Sequence, residues 1–482
     1  MTNVTKRVVA IMVMAASCDR DSGVPDEYDF SIQLDGVFVV SAWPATRSAD
    51  GNWERVCDGG TSEGMVADFA VRGRGKEGSY VSVAPGDTVH GAVIDHDLLL
   101  SGRGAVDLML DGGNGACAYE VDDGTPTQHC APMTTDTTRY VAHGDAVDVV
   151  VLVENAGSMG GVVEDGTFRE SNLPDPFPEN FSSLGSDVTG QRGVAARNLL
   201  ELARRGDSRF VVAGFNSART RVACAEPATD LGSDILRCLD LPVSEYDIDA
   251  LQSSSEGHSN LWTVASMAYD VLRQVAAPGR SRHIVIISDG PDTCTGAFAC
   301  EPGCEGVDGA AFIDLVAHQS SDDKVQVHVI QFESIGYPGH DPRQVEAACV
   351  SGGHYAFIGS NGFPRGLLGS PGALGAAFAR TTAGIAAALD GHWRVATSGE
   401  LAATLPEGTA FGVHGRIAFQ ANGAPTASEA FAAQAGLFES HPSDDERWSD
   451  QPTLLRPCTT GGCADGECCD GICRASCEHC LP

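Results

Sequence analysis

Basic residues are scarce in this sequence: 31 Lys and Arg face 65 Asp and Glu, a net charge of −34 over 482 residues. A surface this negative repels phosphate backbones and anionic headgroups, which argues against nucleic acid as a partner and against electrostatic membrane contact. Beyond its first 18 residues the chain lacks an apolar run long enough to span a bilayer. It lacks a Gly-x-Ser-x-Gly elbow, and the adjacent Cys468-Cys469 pair is not a Cys-x-x-Cys redox motif. Asp111-Gly112-Gly113-Asn114-Gly115 is a turn cluster, too short for a phosphate loop and not followed by a helix. His258 beside Ser259 reads as loop structure rather than a catalytic pair. With no catalytic constellation, the chain is expected to be a binding protein and not an enzyme. No clear internal repeat is present.

What is there supports a folded, exported protein. Hydrophobic residues make up 43% of the chain, enough for a sizeable core spread over two or three domains. Lys6 and Arg7 precede an apolar run from Val8 to Ala16, of signal-peptide length. Ala15-Ala16-Ser17-Cys18 resembles the lipobox of bacterial lipoproteins, with Ala15 in place of the usual Leu. That resemblance implies lipidation at Cys18, with the lipid as the only membrane contact; an ordinary signal peptide cut nearby is the alternative. Either route predicts a cell-envelope protein facing the periplasm or the exterior. Asp19 resembles an inner-membrane retention signal of some bacteria.

The expected organisation is a signal peptide over 1–18, a tether over 19–28 and a β-rich region over 29–144. An α/β domain follows over 145–390, then a second β-rich region over 391–450 and a Cys-rich tail over 451–482. In the first β region, Phe30–Leu34 alternates with period two and Val37–Val40 follows Asp35-Gly36, which predicts a hairpin. From Val147 to Val153 the chain is almost continuously apolar, as in a strand buried on both faces of a parallel sheet. Comparable strands are expected over Phe210–Phe215, His283–Ser288, Val325–Phe332 and His354–Ile358. Helices are expected over Thr189–Arg205, Asn260–Ala276, Ala310–His318, Val345–Ser351 and Ala373–Leu389. Strict strand–helix alternation predicts a doubly wound, mostly parallel α/β sheet.

In such sheets ligands gather at the carboxyl ends of the strands, where strand order reverses. Three loops lie there: Glu154-Asn155-Ala156-Gly157-Ser158-Met159, Gly257-His258-Ser259-Asn260 and Ser288-Asp289-Gly290-Pro291-Asp292. Their order and spacing resemble the von Willebrand factor A family, whose loops read Asp-x-Ser-x-Ser, Gly-Gly-Thr-Asn and Thr-Asp-Gly. Gly352-Gly353-His354-Tyr355 is similar to the family's Gly-Gly-x-Tyr stretch. The resemblance covers about residues 145 to 390. It implies a Rossmann-like fold and a metal-ion-dependent adhesion site for Mg²⁺ or a similar cation, with a protein partner. Carried over, the ligand set is Glu154, Ser158, Ser259 and Asp289. It departs from the pattern: Glu154 replaces Asp, Ala156 replaces a Ser, and Ser259 replaces Thr. Mg²⁺ demands near-octahedral oxygen geometry, whereas Ca²⁺ tolerates irregular sites, so either Ca²⁺ or Mg²⁺ with an extra water could serve. A vestigial site retained for structure is the competing reading. Asp292 is a candidate substitute oxygen or a turn residue. Glu164, Asp165, Glu170 and Asp175 form an acidic insertion beside the loops, either a specificity loop or an exposed turn-rich segment.

Cysteine is plentiful, with 17 in all, which favours an oxidising compartment. Cys224 and Cys238 bracket a loop. Cys294, Cys300, Cys304 and Cys349 are expected to form two bridges among themselves, through Cys300–Cys304 or Cys294–Cys304. Cys57, Cys117 and Cys130 lie in the first β region. Cys458, Cys463, Cys468, Cys469, Cys473, Cys477 and Cys480 form the tail, read as a disulfide knot with zinc as the alternative. Odd counts in the β region and the tail predict one bridge between them. The flanking β regions are expected either to join into one sandwich with the α/β domain inserted, or to form two modules. A structural surface lipoprotein with an inert site is the second functional reading. An enzyme with its active site in the β-rich region is the third.

Overall fold

The computed structural model describes residues 33–57, 63–74, 80–84, 88–89, 92–93, 107–110, 116–122, 125–131, 134–143, 146–159, 162–164, 167–169, 187, 190–202, 207–217, 220–224, 231–239, 241, 248–251, 257–294, 307–320, 324–332, 341–358, 371–398, 410–421, 424–436, 467–469 and 472–474. The content is mixed α/β: one sheet of mostly parallel strands, with antiparallel sheets built from the flanking segments. Cys18 and the lipobox-like stretch lie outside the described residues.

The first segment begins with β1 (Gln33–Arg47), β2 (Trp53–Arg55), β3 (Gly64–Arg74) and β4 (Tyr80–Ser82). It continues through β5 (Thr88–Val89), β6 (Ala92–Val93), β7 (Asp107–Leu110), β8 (Ala116–Asp122), β9 (Thr125–Ala131) and β10 (Thr134–Ala142). The hairpin expected at Asp35-Gly36 does not form. β1 runs straight through it, with a register shift against β3 between Leu34 and Gly36. A glycine inside a strand pattern marks a bulge as readily as a turn, and here the long partner β3 extends the pairing past it. The turn at Asp50-Gly51 does form, with Gly51 at φ 79° between β1 and β2.

The central segment opens with β11 (Ala146–Glu154), a short 3₁₀ turn over Gly157–Met159, β12 (Val162–Glu164) and β13 (Thr167–Arg169). Then come α1 (Gln191–Leu202), β14 (Arg209–Phe215), β15 (Arg221–Val222), α2 (Leu231–Cys238), α3 (Ile248–Leu251), α4 (Leu261–Gln274) and β16 (Arg280–Ser288). The segment ends with α5 (Gly309–Ala317), β17 (Val325–Phe332), α6 (Pro342–Ser351), β18 (Tyr355–Ile358) and α7 (Pro371–Ala388). The sheet order is β15-β14-β11-β16-β17-β18, parallel except for β15. Every residue of β11 is buried. Val149, Val151 and Val153 enter one apolar cluster with α1, α3 and α7, while Val150 and Leu152 enter another with α4, α5 and α6. Helices on both faces therefore explain why β11 reads as an unbroken apolar run.

Gly352 and Gly353 have separate reasons to be glycine. Gly352 ends α6 in the left-handed region at φ 80°. A Cβ on Gly353 would sit 1.9 Å from the Val327 carbonyl oxygen, so this backbone must pass against β17. Gly352→Ala is expected to cost about 1 kcal/mol, and Gly353→Ala about 3 kcal/mol through forced backbone movement. Urea denaturation of both variants checks the order, and equal costs would refute it.

After α7 come β19 (Gly391–Ser398), β20 (Ala410–Ala421) and β21 (Ala424–Gly436), then a tail hairpin of Glu467–Cys469 with Ile472–Arg474. Strands from before and after the central segment share sheets. One runs β10-β19-β3-β1-β2 and another β21-β20-β8-β9. The first packs on the central unit: Trp43, Ala45, Trp53, Val66 and Ala396 share a cluster with β17 and α6, and Val40 and Ala70 join the opposite one.

The disulfides correct one expectation. Cys57 bonds Cys349, tying the segment after β2 to α6 across 292 residues. Cys349 therefore does not pair within the Cys294, Cys300, Cys304 group. Cys57 of the first β region pairs with the central segment, because the first sheet lies against α6; the expected bridge to the tail falls on the side chains of Cys117, Cys130 and the tail cysteines, which lie outside the described ones. Cys294 is also disulfide-bonded, while Cys300 and Cys304 lie outside the described residues. Cys224 bonds Cys238 across the loop they bracket. Cys117 stands opposite Cys130 in the β8–β9 register, and Cys468 opposite Cys473 in the tail hairpin. Cys458, Cys463, Cys477 and Cys480 lie outside the described residues. Disulfides fit an oxidising, extracytoplasmic compartment. Among the described residues no helix is long and apolar enough to cross a membrane.

Candidate functional site

β11 is the switch strand of the central sheet. The chain leaves it to build β14 on one side, then returns to build β16 on the other. The loops after β11 and β16 therefore diverge and leave a crevice between them. Backbone bonds stitch a third loop into that crevice. Gly157 N–H donates to the Gly257 carbonyl (3.0 Å), and Ser217 N–H to the His258 carbonyl (2.7 Å). Thr293 and Cys294 N–H both donate to the Ser259 carbonyl (3.0 Å each).

The four carried-over residues meet here. The Ser158 hydroxyl donates to Asp289 Oδ1 at 3.0 Å, and Ser158 is the exposed member of its loop. Glu154 is buried and accepts from the Ser288 hydroxyl at 2.6 Å and from the Asp289 N–H at 3.3 Å. Burial pushes the Glu154 carboxyl well above the usual range, and the facing Asp289 carboxylate pushes the same way. Ser288, Ser259 and the Asp289 N–H pull it back. The buried Ser259 hydroxyl faces Glu154 and acts on its carboxyl as a donor. Ala156 is buried in the same loop and offers no oxygen.

The donor set fits a hard cation. Two carboxylates and two hydroxyls converge, and burial, reinforced by the facing Asp289 carboxylate, pushes the Glu154 carboxyl toward its neutral form. The missing serine oxygen at Ala156 favours an ion that accepts irregular coordination with water, which describes Ca²⁺ better than Mg²⁺.

Asp292 has a different task. One oxygen accepts from the Trp262 N–H at the start of α4 (2.9 Å), the other from the Cys294 N–H (2.8 Å). Burial raises its carboxyl to about 6. It is a helix cap and turn residue facing backbone. Glu164 lies in the short β12–β13 hairpin, and Asp165, Glu170 and Asp175 lie outside the described residues.

The sequence reading missed the supports of the first loop. Arg192, buried in α1, donates to Asn155 Oδ1 (2.8 Å) and to Asp187 Oδ2 (3.1 Å). Asp187 also accepts from the Gln191 and Arg192 N–H groups, capping α1. Asn216 Nδ2 holds the Asn155 carbonyl at 2.8 Å. An Asp a few residues ahead of a helix was the available signal. Nothing in the sequence announced that Arg192 would turn back to the loop.

A second group is metal-like in spacing: buried Asp68, His354 and His392 on β3, before β18 and on β19. Asp68 already accepts from Arg55 (2.6 Å) and twice from Arg394 (2.7 and 3.0 Å). Burial alone would raise its carboxyl, but Arg394, His392 and Arg55 hold it well below the usual range. A divalent ion there would add two charges beside two guanidiniums sharing one carboxylate, which the low-dielectric interior opposes.

No family model and no curated protein sequence matches the chain. Among solved structures it is similar to an aerotolerance-related membrane protein from Bacteroides fragilis. That match has 13% identity and a TM-score of 0.23, covering 44% of this chain and 92% of that one. It is also similar to the PilB minor pilin from Streptococcus sanguinis (11% identity, 75% of this chain and 80% of that one, TM-score 0.29). A third is the pilus adhesin RrgA from Streptococcus pneumoniae (9% identity, 62% and 46%, TM-score 0.20).

Proposed function

We propose that this chain is a cell-envelope binding protein, lipid-anchored through Cys18. Its central segment would be a doubly wound domain of the von Willebrand factor A type that holds a protein partner at the loop face through a cation. The observation that carries this reading is the convergence of Glu154, Ser158, Ser259 and Asp289 at the switch point of the sheet, with Ser158 bonded to Asp289 and both Asp289 and the Ser259 hydroxyl facing the buried Glu154. A bound cation supplies a coordination position that a partner's carboxylate can fill. Glu154 and Asp289 balance its charge; Ser158, at the exposed edge, and Ser259, on the buried side, offer hydroxyl oxygens. Arg192, Asp187 and Asn216 hold the first loop in place through Asn155. The reading contains no catalytic step.

Ala156 favours a second reading, in which the loops persist as scaffold and the protein is a structural surface lipoprotein. Thermal melting separates the two. A ligand at one hundred times its Kd stabilises the folded state by about 2.7 kcal/mol. The oxidised protein is expected to melt higher in millimolar Ca²⁺ or Mn²⁺ than in chelator, and Ser158→Ala to lose most of that rise. Identical wild-type melting curves with and without each cation favour the scaffold reading.

A further inference from the structure

At the far half of the central sheet from the cation site, five histidines form a continuous chain. His283 lies on β16, His328 on β17, His354 just before β18, His392 on β19 and His143 just after β10. Neighbouring rings lie 4.9–5.5 Å apart, centroid to centroid: His143–His283, His283–His328, His328–His354, His354–His392 and His392–His143. His283, His328, His354 and His392 are fully buried, and His143 sits at the rim. The chain crosses an interface. His283, His328 and His354 belong to the central segment, while His143 and His392 belong to the antiparallel sheet that packs on it.

The hydrogen bonds admit only neutral rings at two positions. His328 Nδ1 accepts from the His354 backbone N–H (3.2 Å), so the His328 proton is on Nε2 and points at His283 Nδ1 (2.9 Å). The His283 proton is then on Nε2, toward the Ser281 hydroxyl (2.9 Å). A second proton on His328 would face a backbone donor, and one on His283 would face the His328 N–H. His354 Nδ1 meets the Ser41 hydroxyl (2.9 Å), and its Nε2 has no acceptor; nor does His143 Nε2. Among the described residues, the charged groups facing the chain from every packed element are Arg55 at the end of β2, Arg394 on β19, Arg139 on β10, Lys324 before β17, and one carboxylate, Asp68 on β3. That carboxylate is already shared by Arg55 and Arg394. It also lies 3.4 Å from His392 Nε2 and 3.6 Å from His354 Nδ1 and favours the protonated form of both rings, against the burial and the cations that oppose it.

We propose that this histidine chain is an acid-operated latch: it closes the antiparallel sheet onto the central sheet only while its rings are neutral, and proton uptake parts the two. Parting hinges on the Cys57–Cys349 bond, which keeps the sheets tethered. Burial lowers all five, His143 to about 3; neighbouring rings add to it at His143, His283, His328 and His354, and Asp68 pulls the other way at His143, His354 and His392 without cancelling it. Closure is therefore complete above the ordinary histidine value of about 6.5 and is lost as pH falls below it. Each ring multiplies the open-to-closed ratio by up to about tenfold per pH unit, so five give up to about 10⁵-fold.

The test is acid titration of the full oxidised protein from pH 7.5 to 4.5. Near-ultraviolet dichroism follows packing, and potentiometry counts protons. The expected result is a transition beginning above pH 5 with an uptake of three or more protons. In His354→Gln and, separately, His328→Asn, the midpoint should fall and the uptake drop by about one proton each. Hydrogen exchange should place the opening at β3, β19 and β18. Native packing retained to pH 4.5, an uptake of one proton or less, or variants that titrate like wild type would each overturn the latch. So would a zinc-induced rise in melting temperature at pH 7.5 that His392→Gln abolishes, because the cluster would then be a metal centre.

Discussion

Asp68→Ala is expected to lose about 3–5 kcal/mol of stability, the cost of leaving buried charge uncompensated. Asp68 is the sole carboxylate between Arg55 and Arg394 among the described residues, and its side chain is wholly buried while theirs are nearly so. Arg55 also donates to the Gly353 carbonyl (2.7 Å), so the pair reaches from β2 and β19 to the turn before β18. Removing the carboxylate leaves two guanidiniums facing each other at the joint between sheets. Burial already lowers Arg55 to about 10 with Asp68 in place. Asp207→Ala is the matched control. Asp207 pairs with Arg280 at 3.0 Å but is exposed, and such a pair is worth within about 0.5 kcal/mol. Chemical denaturation of both variants at pH 7.5 should give costs several-fold apart. A loss below about 1 kcal/mol in Asp68→Ala would mean that the ion-pair cluster does not hold the joint.

Cys57→Ala/Cys349→Ala carries the second large effect. The bond spans a separation of 292 residues, and constraining so long a loop in the unfolded chain stabilises the fold by about 5–6 kcal/mol. The loop encloses β3 through the middle of α6, so its loss also frees the first sheet from α6. The expected result is a stability loss of about 5–6 kcal/mol for the double variant under oxidising conditions, against about 3 kcal/mol for Cys224→Ala/Cys238→Ala, whose separation is 14. A smaller loss in the long-loop variant would contradict the entropic account.

The central sheet was legible because burial writes itself into composition. β11, β16 and β17 are apolar on both faces, and each expected strand there matches an observed one to within three residues at either end. Helix starts shifted where caps were hidden: α1 begins later, at Gln191, because Asp187, four residues earlier, receives its first N–H groups, and α6 begins earlier, at Pro342, behind Asp341. The three site loops were legible because each ends a strand or starts a helix on the same sheet edge. The first β segment was less so. Asp35-Gly36 is a turn signal, and only the partner strand β3 turns it into a bulge. Cysteine parity pointed to a bridge between regions but could not name its far end, which depends on how the first sheet lies against α6. The histidine chain draws on five separate elements, and no spacing in the sequence links positions 143, 283, 328, 354 and 392.

Calorimetric titration of the oxidised protein with Ca²⁺, Mg²⁺ and Mn²⁺, with Asp289→Ala alongside, tests the central claim most directly. The proposed function predicts one site per molecule, with Ca²⁺ favoured over Mg²⁺ and the heat lost in Asp289→Ala. No saturable heat with any of the three ions, or wild-type heat retained in Asp289→Ala, would contradict it and leave the loop face as scaffold.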